Sequence, residues 1–156
     1  MVGNVTIARR LVASTNDVFR SMIFMDLHPL ASKEGKDIRC ESDITSMVGL
    51  AGDMKGILAV HCPTPVATSL AGAMLGMDIA ELDEDVKDAI GEITNMITGG
   101  MKTFFDGDGA KLDLSIPTTL IGRSFRVGGL FGAQRILVPF DVEAGTFWVE
   151  FKFLAA

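Results

Sequence analysis

The stretch from Asp83 to Phe105 constrains this chain more than any other, because it can fold only as a long helix with two unlike faces. At 3.6 residues per turn, Val86, Ile90, Ile93, Ile97, Met101 and Phe104 fall within about 80° of one another, the spacing of a buried stripe. Asp88, Glu92, Asn95, Gly99 and Lys102 fall in a similar arc roughly opposite. The start is well marked: Asp83 is placed to cap the helix, and Glu84 and Asp85 complement its positive end. The chain must therefore supply a core for one face and a reason for the other.

The second face is unusual in composition. Asn competes for backbone hydrogen bonds in a helix, and Gly91, Gly99 and Gly100 each cost up to about 1 kcal/mol relative to Ala. Three glycines and an Asn in one helix argue that something approaches it closely. On spacing alone, a solvated face remains the ordinary reading of Glu92 and Asn95. The first-turn acids need no role beyond the helix dipole.

The chain has 156 residues, nearly half apolar, which suits a single domain over residues 1–156 with a real core. A net charge of −6, with no basic cluster in sequence beyond Arg9-Arg10, argues against a nucleic-acid partner. It favours a partner that presents Lys or Arg. Cys40 and Cys62 are the only cysteines, and the start, Met-Val-Gly-Asn-Val-Thr, has no secretory pattern. A reduced, cytoplasmic setting is the expectation, with both thiols inert and buried. His28 and His61 lie far apart without neighbouring ligands, and no metal-ligand spacing occurs. Asp106-Gly-Asp-Gly109 fails as a calcium loop and reads as a surface turn. Gly56 to Met77 carries no charge, but Pro63-Thr-Pro65 interrupts it. A strand followed by a helix capped by Thr64, with Pro65 at its first position, explains it better than a membrane span.

The remaining elements follow from periodicity. Residues from about 6 to 26 read as a helix burying Ile7, Leu11, Val18, Met22 and Met25, with Thr6 as a cap. Residues 27–43 are polar and irregular. A hairpin runs Ile44 to Ala51, turns through Gly52 to Gly56, and returns over Ile57 to Cys62. The helix Pro65 to Leu75 stops at Gly76. After the long helix come strands over Leu112 to Ile116 and Leu120 to Val127, then a Gly128–Gly132 loop. Last comes a Phe-rich hairpin, with Ile136, Val138, Phe140 and Val142 facing one way and Phe147, Val149, Phe151 and Phe153 forming the second stripe. Pro139 marks an edge or bulge. The fold class is α+β: an antiparallel sheet with long helices packed on one face. A Phe-rich strand at a sheet edge could pair with a second copy.

Taken together, these residues resemble the CheC/CheX/FliY family of chemotaxis phosphatases, and CheX most of all. The resemblance rests on Asp88-Ala-Ile-Gly-Glu92-Ile-Thr-Asn95-Met-Ile-Thr-Gly99, on Leu114-Ser-Ile-Pro117-Thr, and on Val138-Pro-Phe140 with Glu143-Ala-Gly145. It covers nearly the whole chain. Pro117 follows Asn95 one residue sooner than the family pattern has it, and Gly100 and Met101 depart from the small polar and Ala positions common there. CheC-like members carry a second Glu-x-x-Asn in the first helix; here Asn16 is preceded at that distance by Ala13, so one site per chain is expected.

The resemblance implies hydrolysis of the aspartyl phosphate on a CheY-like response-regulator receiver, terminating the signal in chemotaxis or a related two-component pathway. It implies that Asn95 orients the attacking water and that Glu92 pairs with the receiver's active-site Lys. Asp88, Gly99 and Pro117 would be partner contacts. No cofactor is expected on this chain; Mg²⁺ is expected on the receiver. A homodimer through sheet edges is implied as well. The alternative is a non-catalytic receiver-binding or dimerisation module of the same fold. A small-molecule enzyme has no support, since there is no Ser-His nucleophile motif, P-loop or dinucleotide fingerprint.

Overall fold

A computed structural model describes residues 3–155 apart from Lys36, Phe125 and Gly129. Its centre is an antiparallel sheet. Strands β3 (Ile44–Gly52) and β4 (Met54–Cys62) form the expected hairpin, in register from Ile44 opposite Cys62 to Leu50 opposite Gly56. The turn is tighter than the sequence suggests. Gly52 takes φ +125°, and a methyl there would lie 2.3 Å from the Lys111 carbonyl oxygen, so only glycine fits. Strands β7 (Gln134–Val142) and β8 (Gly145–Ala155) form the second hairpin, and β8 lies between β7 and β4.

Short strands border this four-stranded centre. β1 (His28–Pro29) and β2 (Lys33–Glu34) pair with β7; β5 (Leu112–Leu114) and β6 (Thr118–Ile121) pair with β3. Three of these depart from expectation. The irregular 27–43 segment contributes β1 and β2, and the expected strand over 120–127 is instead Thr118–Ile121. Beyond Ile121, Gly122 and Ser124 donate their amides to the carbonyls of Asp43 and Ser42, just ahead of β3; Phe125 lies outside the described residues. Pro139, lacking an amide donor, sits on β7 opposite the gap between β1 and β2, where Leu30 N–H reaches its carbonyl at 2.9 Å. The Phe-rich strands are interior, so they offer no free edge of their own.

Three helices cover one face: α1 (Asn4–Val18), α2 (Thr64–Leu75) and α3 (Glu84–Gly107). Helix α1 begins at Asn4, without a side-chain cap from Thr6. It runs into a π turn over Phe19–Ile23, closed by Phe24 N–H to Phe19 O at 2.7 Å. The wider turn shifts the phase by one residue. Phe19 and Ile23 are buried, Met22 is 40% exposed, and the helix ends before 26. The cause is tertiary: Phe19 stacks on Phe147 at 5.6 Å, and Phe147 on Phe140 at 5.3 Å. Such pairs are worth about 0.5–1.5 kcal/mol beyond the area they bury.

Helix α2 stops at Gly76, φ +66°, as expected. Its start differs. Pro63 is the N-cap residue, Thr64 is the first helical residue, and the missing cap comes from Asp43, whose Oδ2 accepts from Thr64 N–H at 2.7 Å and from the Thr64 hydroxyl at 2.8 Å. These bonds hold the Asp43 carboxyl below the usual carboxylate range. Helix α3 is capped by Asp83, which accepts from Val86 N–H at 2.9 Å. Its buried stripe holds Val86, Ile90, Ile93, Ile97 and Met101; at the far end Phe105, not Phe104, is fully buried, while Phe104 lies under the Arg10 guanidinium at 4.9 Å. The Asp106–Gly109 segment is the helix end and a turn, with Gly109 at φ +88°. Cys40 and Cys62 are free and buried, and burial pushes the Cys62 thiol up. Among the described residues no helix is long and apolar enough to cross a membrane.

Candidate active site

The buried stripe fixes the rotation of α3, and so decides what its other side shows. Asp88 and Glu92 are exposed, and Asn95 and Gly99 are half-buried. At 3.6 residues per turn the four lie within about 60°. No side-chain hydrogen bond or ion pair among the described residues engages Asp88, Glu92 or Asn95. This sets them apart from their neighbours. Thr94 and Thr98 donate to carbonyls one turn back, at 2.7 and 2.6 Å, and Lys102 is taken by Asp106 at 2.7 Å.

The three glycines differ. Added methyl groups report the surroundings of each. At Gly91 one would meet Thr119 Oγ1 at 3.2 Å and Pro117 Cβ at 3.7 Å; at Gly100 it would meet Ser14 Oγ at 2.7 Å; at Gly99 it would meet nothing within 4 Å. Gly91 therefore lets β6 approach the helix, Gly100 lets α1 approach, and Gly99 faces open space. Pro117 is thus brought beside the helix one residue before Glu92, despite its short spacing in sequence.

How Pro117 gets there depends on Ser115. A proline cannot continue the β3 ladder. Ser115 bridges the interruption: its N–H donates to Gly49 O at 2.9 Å, and its hydroxyl accepts from Gly49 N–H at 2.8 Å. Ile116, next to Pro117, is 85% exposed. Sequence reasoning did not single it out. Its signal was an apolar residue beside a proline between two strand-like runs.

The match to known proteins follows this geometry. The sequence model described as chemotaxis phosphatase CheX matches residues 44–141, which include α3, Ser115 and Pro117. The chain belongs to the CheX family. It is 25% identical over 122 residues to the CheY-P phosphatase CheX of Thermotoga maritima, covering 78% of this chain and 79% of that one. A CheC-like superfamily protein from Shewanella sp. PV-4 has the same fold, with a TM-score of 0.89 and 28% identity, covering 98% of this chain and 100% of that one. CheX from Borrelia burgdorferi, solved with CheY, BeF3 and Mg²⁺, shares the fold at a TM-score of 0.78 and 19% identity, covering 94% and 96%. The α+β architecture expected from the sequence is that of these CheX-like structures.

A second polar cluster lies on the other face of the sheet, where spacing in sequence gives no hint of it. Glu150, 2% exposed, accepts from His61 Nε2 at 2.8 Å and from Arg135 Nε at 2.7 Å. Thr45 Oγ1 lies 2.8 Å from His61 Nδ1, and Arg135 Nη1 donates to Ile38 O at 2.9 Å and Gly35 O at 3.1 Å. Burial alone would raise the Glu150 carboxyl; the hydrogen bonds and charges of His61 and Arg135 outweigh it and hold the group low. His61, which looked isolated in the sequence, is part of this network together with Cys40.

Proposed function

We propose that this CheX family member is a phosphatase that removes the phosphoryl group from the aspartate of a CheY-like receiver and so ends its signal. One observation carries the reading: Glu92, exposed, and Asn95, half-buried, share one arc of α3, have no side-chain partners among the described residues, and sit on the helix that Pro117 approaches at Gly91. A flush helix face is a poor site for a small molecule, which needs a cavity. It suits a protein substrate that brings its own pocket.

Phosphoryl transfer depends mostly on position and charge. The receiver supplies Mg²⁺ and a Lys at its phosphoryl group, so this chain contributes no metal. The Asn95 carboxamide can accept from a water and donate to it without adding charge that repels phosphate. The oriented water oxygen attacks phosphorus in line, the bond from phosphorus to the aspartate oxygen breaks, and the carboxylate departs as inorganic phosphate is released. Glu92 pairs with the receiver Lys and sets the approach of the helix. As a general base it would place a second negative charge against the phosphoryl oxygens, which makes that role the poorer one. Asp88 adds an outer contact, Gly99 admits the receiver backbone, and Pro117 with exposed Ile116 supplies an apolar rim.

The same reading places the protein in the cytoplasm, where receivers are, with both thiols reduced. It also includes a homodimer, which would pair through the short-strand borders of the sheet rather than through β7 or β8. A docking module without turnover is the second reading, favoured by the exposed Ile116 beside the site. The deciding experiment adds this protein, well below stoichiometry, to a phosphorylated CheY-like receiver with Mg²⁺ and follows phosphate release. Many turnovers per molecule, lost in Asn95→Ala, are expected. A tight complex without release selects the docking module, and equal release by the variant removes Asn95 from the mechanism.

A further inference from the structure

The helix-free face of the sheet holds a cavity of about 320 Å³ whose lining includes Arg39, Arg123, Arg126 and Arg135, with buried Cys40 and His61 among them. These are four of the chain's seven arginines, gathered in a protein of net charge −6. No lining residue is acidic. Separated in sequence, they gave no basic cluster to read.

Their commitments differ. Arg135 is occupied by Glu150 and by the carbonyls of Gly35 and Ile38. Arg39, Arg123 and Arg126 are exposed and make no ion pair or side-chain hydrogen bond among the described residues. Arg123 is near enough to Asp43 to lower its carboxyl slightly, yet forms no ion pair with it. The loop that carries Arg123 and Arg126 is anchored. Gly122 N–H donates to Asp43 O at 2.8 Å, Ser124 N–H donates to Ser42 O at 2.9 Å, and Ser124 holds φ +47° between the two arginines.

Charge decides what such a cavity takes. Cys40, His61 and Glu150 offer ligand atoms within 4.8 Å of one another, an arrangement that invites a metal ion. The donors are not free, however. Both His61 nitrogens and both Glu150 oxygens are engaged, and the Arg135 guanidinium stands 3.9 Å from the Cys40 sulfur. Burial first, and the Glu150 charge second, push the Cys40 thiol up to about 12, so it stays neutral. A cation would have to break this network beside a fixed positive charge. An anion meets three uncommitted guanidinium groups, those of Arg39, Arg123 and Arg126, whose planar fork matches phosphate oxygens in pairs.

We infer that this cavity is a binding site for a small phosphate-bearing anion, separate from the α3 face. Its volume lies at the lower end of small-molecule sites. A neighbouring cavity of the same volume shares Arg126 and Arg135 and adds Leu130 and Phe131, the latter 99% exposed. It leaves room for an apolar group attached to the phosphate.

Inorganic pyrophosphate is the probe. Titrated into the whole protein at constant ionic strength, it is expected to saturate one site and to shift amide resonances of residues 38–40 and 122–128. Binding should weaken at least about tenfold in an Arg123→Gln, Arg126→Gln double variant, since two charge-assisted contacts are lost. It should be unchanged in Asn95→Ala. The two arginines are exposed, and an unchanged unfolding midpoint confirms that the double variant is folded. Absence of saturable binding by the wild type overturns the inference. So does equal binding by the double variant, or amide shifts centred on α3.

Discussion

Two polar groupings of this molecule, one on each side of the sheet, are built on opposite terms. On the far side, Thr45, His61, Glu150 and Arg135 are joined by hydrogen bonds of 2.7 to 2.8 Å, and the Glu150 carboxylate is filled on both oxygens. On α3, Asp88, Glu92 and Asn95 bond to nothing among the described residues. A buried charge must be satisfied within the fold or it is very costly. A group on the solvent side that the fold leaves unpaired keeps its bonding capacity for water or for a partner. Both groupings are rich in chemistry-bearing residue types; what separates them is whether the protein itself uses up their bonding capacity.

That contrast can be broken in order of size. Glu150→Ala takes the shared carboxylate from His61 and Arg135, leaving Arg135 only its carbonyl partners, and should cost about 3–5 kcal/mol of stability in urea denaturation. A loss under about 1 kcal/mol would mean the network is not holding the far face together. Asn95→Ala should do the reverse: phosphate release from a phosphorylated receiver falls by about 10²–10³, with the unfolding midpoint unmoved. A shifted midpoint would return Asn95 to an ordinary structural role.

Smaller effects come from adjacent glycines. Gly100→Ala presses a methyl to 2.7 Å from Ser14 Oγ and 3.0 Å from its Cβ, so α1 must give way; a loss of about 1–3 kcal/mol is expected, partly offset by better helix propensity. Gly99→Ala meets nothing, and should stabilise the free protein by up to about 1 kcal/mol while raising the KM for the receiver. An unchanged KM would mean that the open space at Gly99 is not used. The smallest effect is in pH. The folded Asp43 carboxyl is held low by its bonds to Thr64, so its contribution is complete above the ordinary carboxylate pKa of about 4 and fades as pH falls through the folded value. Wild type should exceed Asp43→Asn in stability at about pH 6, and the gap should narrow in acid.

What the sequence revealed was periodic or local. The α3 stripe, the Asp83 cap, the Gly76 stop and the two hairpins each depend on residues a few positions apart. The shared arc of Glu92 and Asn95 was legible for the same reason, although the roles proposed for them rest on the resemblance. What stayed hidden depended on distant partners. Asp43 caps a helix 21 residues on; the π turn follows from Phe19 meeting Phe147; the far-side cluster gathers Cys40, His61, Arg135 and Glu150 from four segments. For Gly91, Gly99 and Gly100, composition suggested close approach at all three, and packing shows it at Gly91 and Gly100 only.

The position of β8 has a consequence for synthesis. It occupies the middle of the sheet, with Met54 opposite Ala155 and Gln134 opposite Phe153. A ribosome therefore delivers three helices and the β3–β4 hairpin long before the strand that completes their support. Until then β4 keeps an open hydrogen-bonding edge and the helices lack Phe147, Val149 and Phe151. Closing such distant pairings is slow, and the waiting intermediate is prone to aggregate. Nascent chains of this protein should thus depend on chaperones until their last strand emerges, and then fold in one late step.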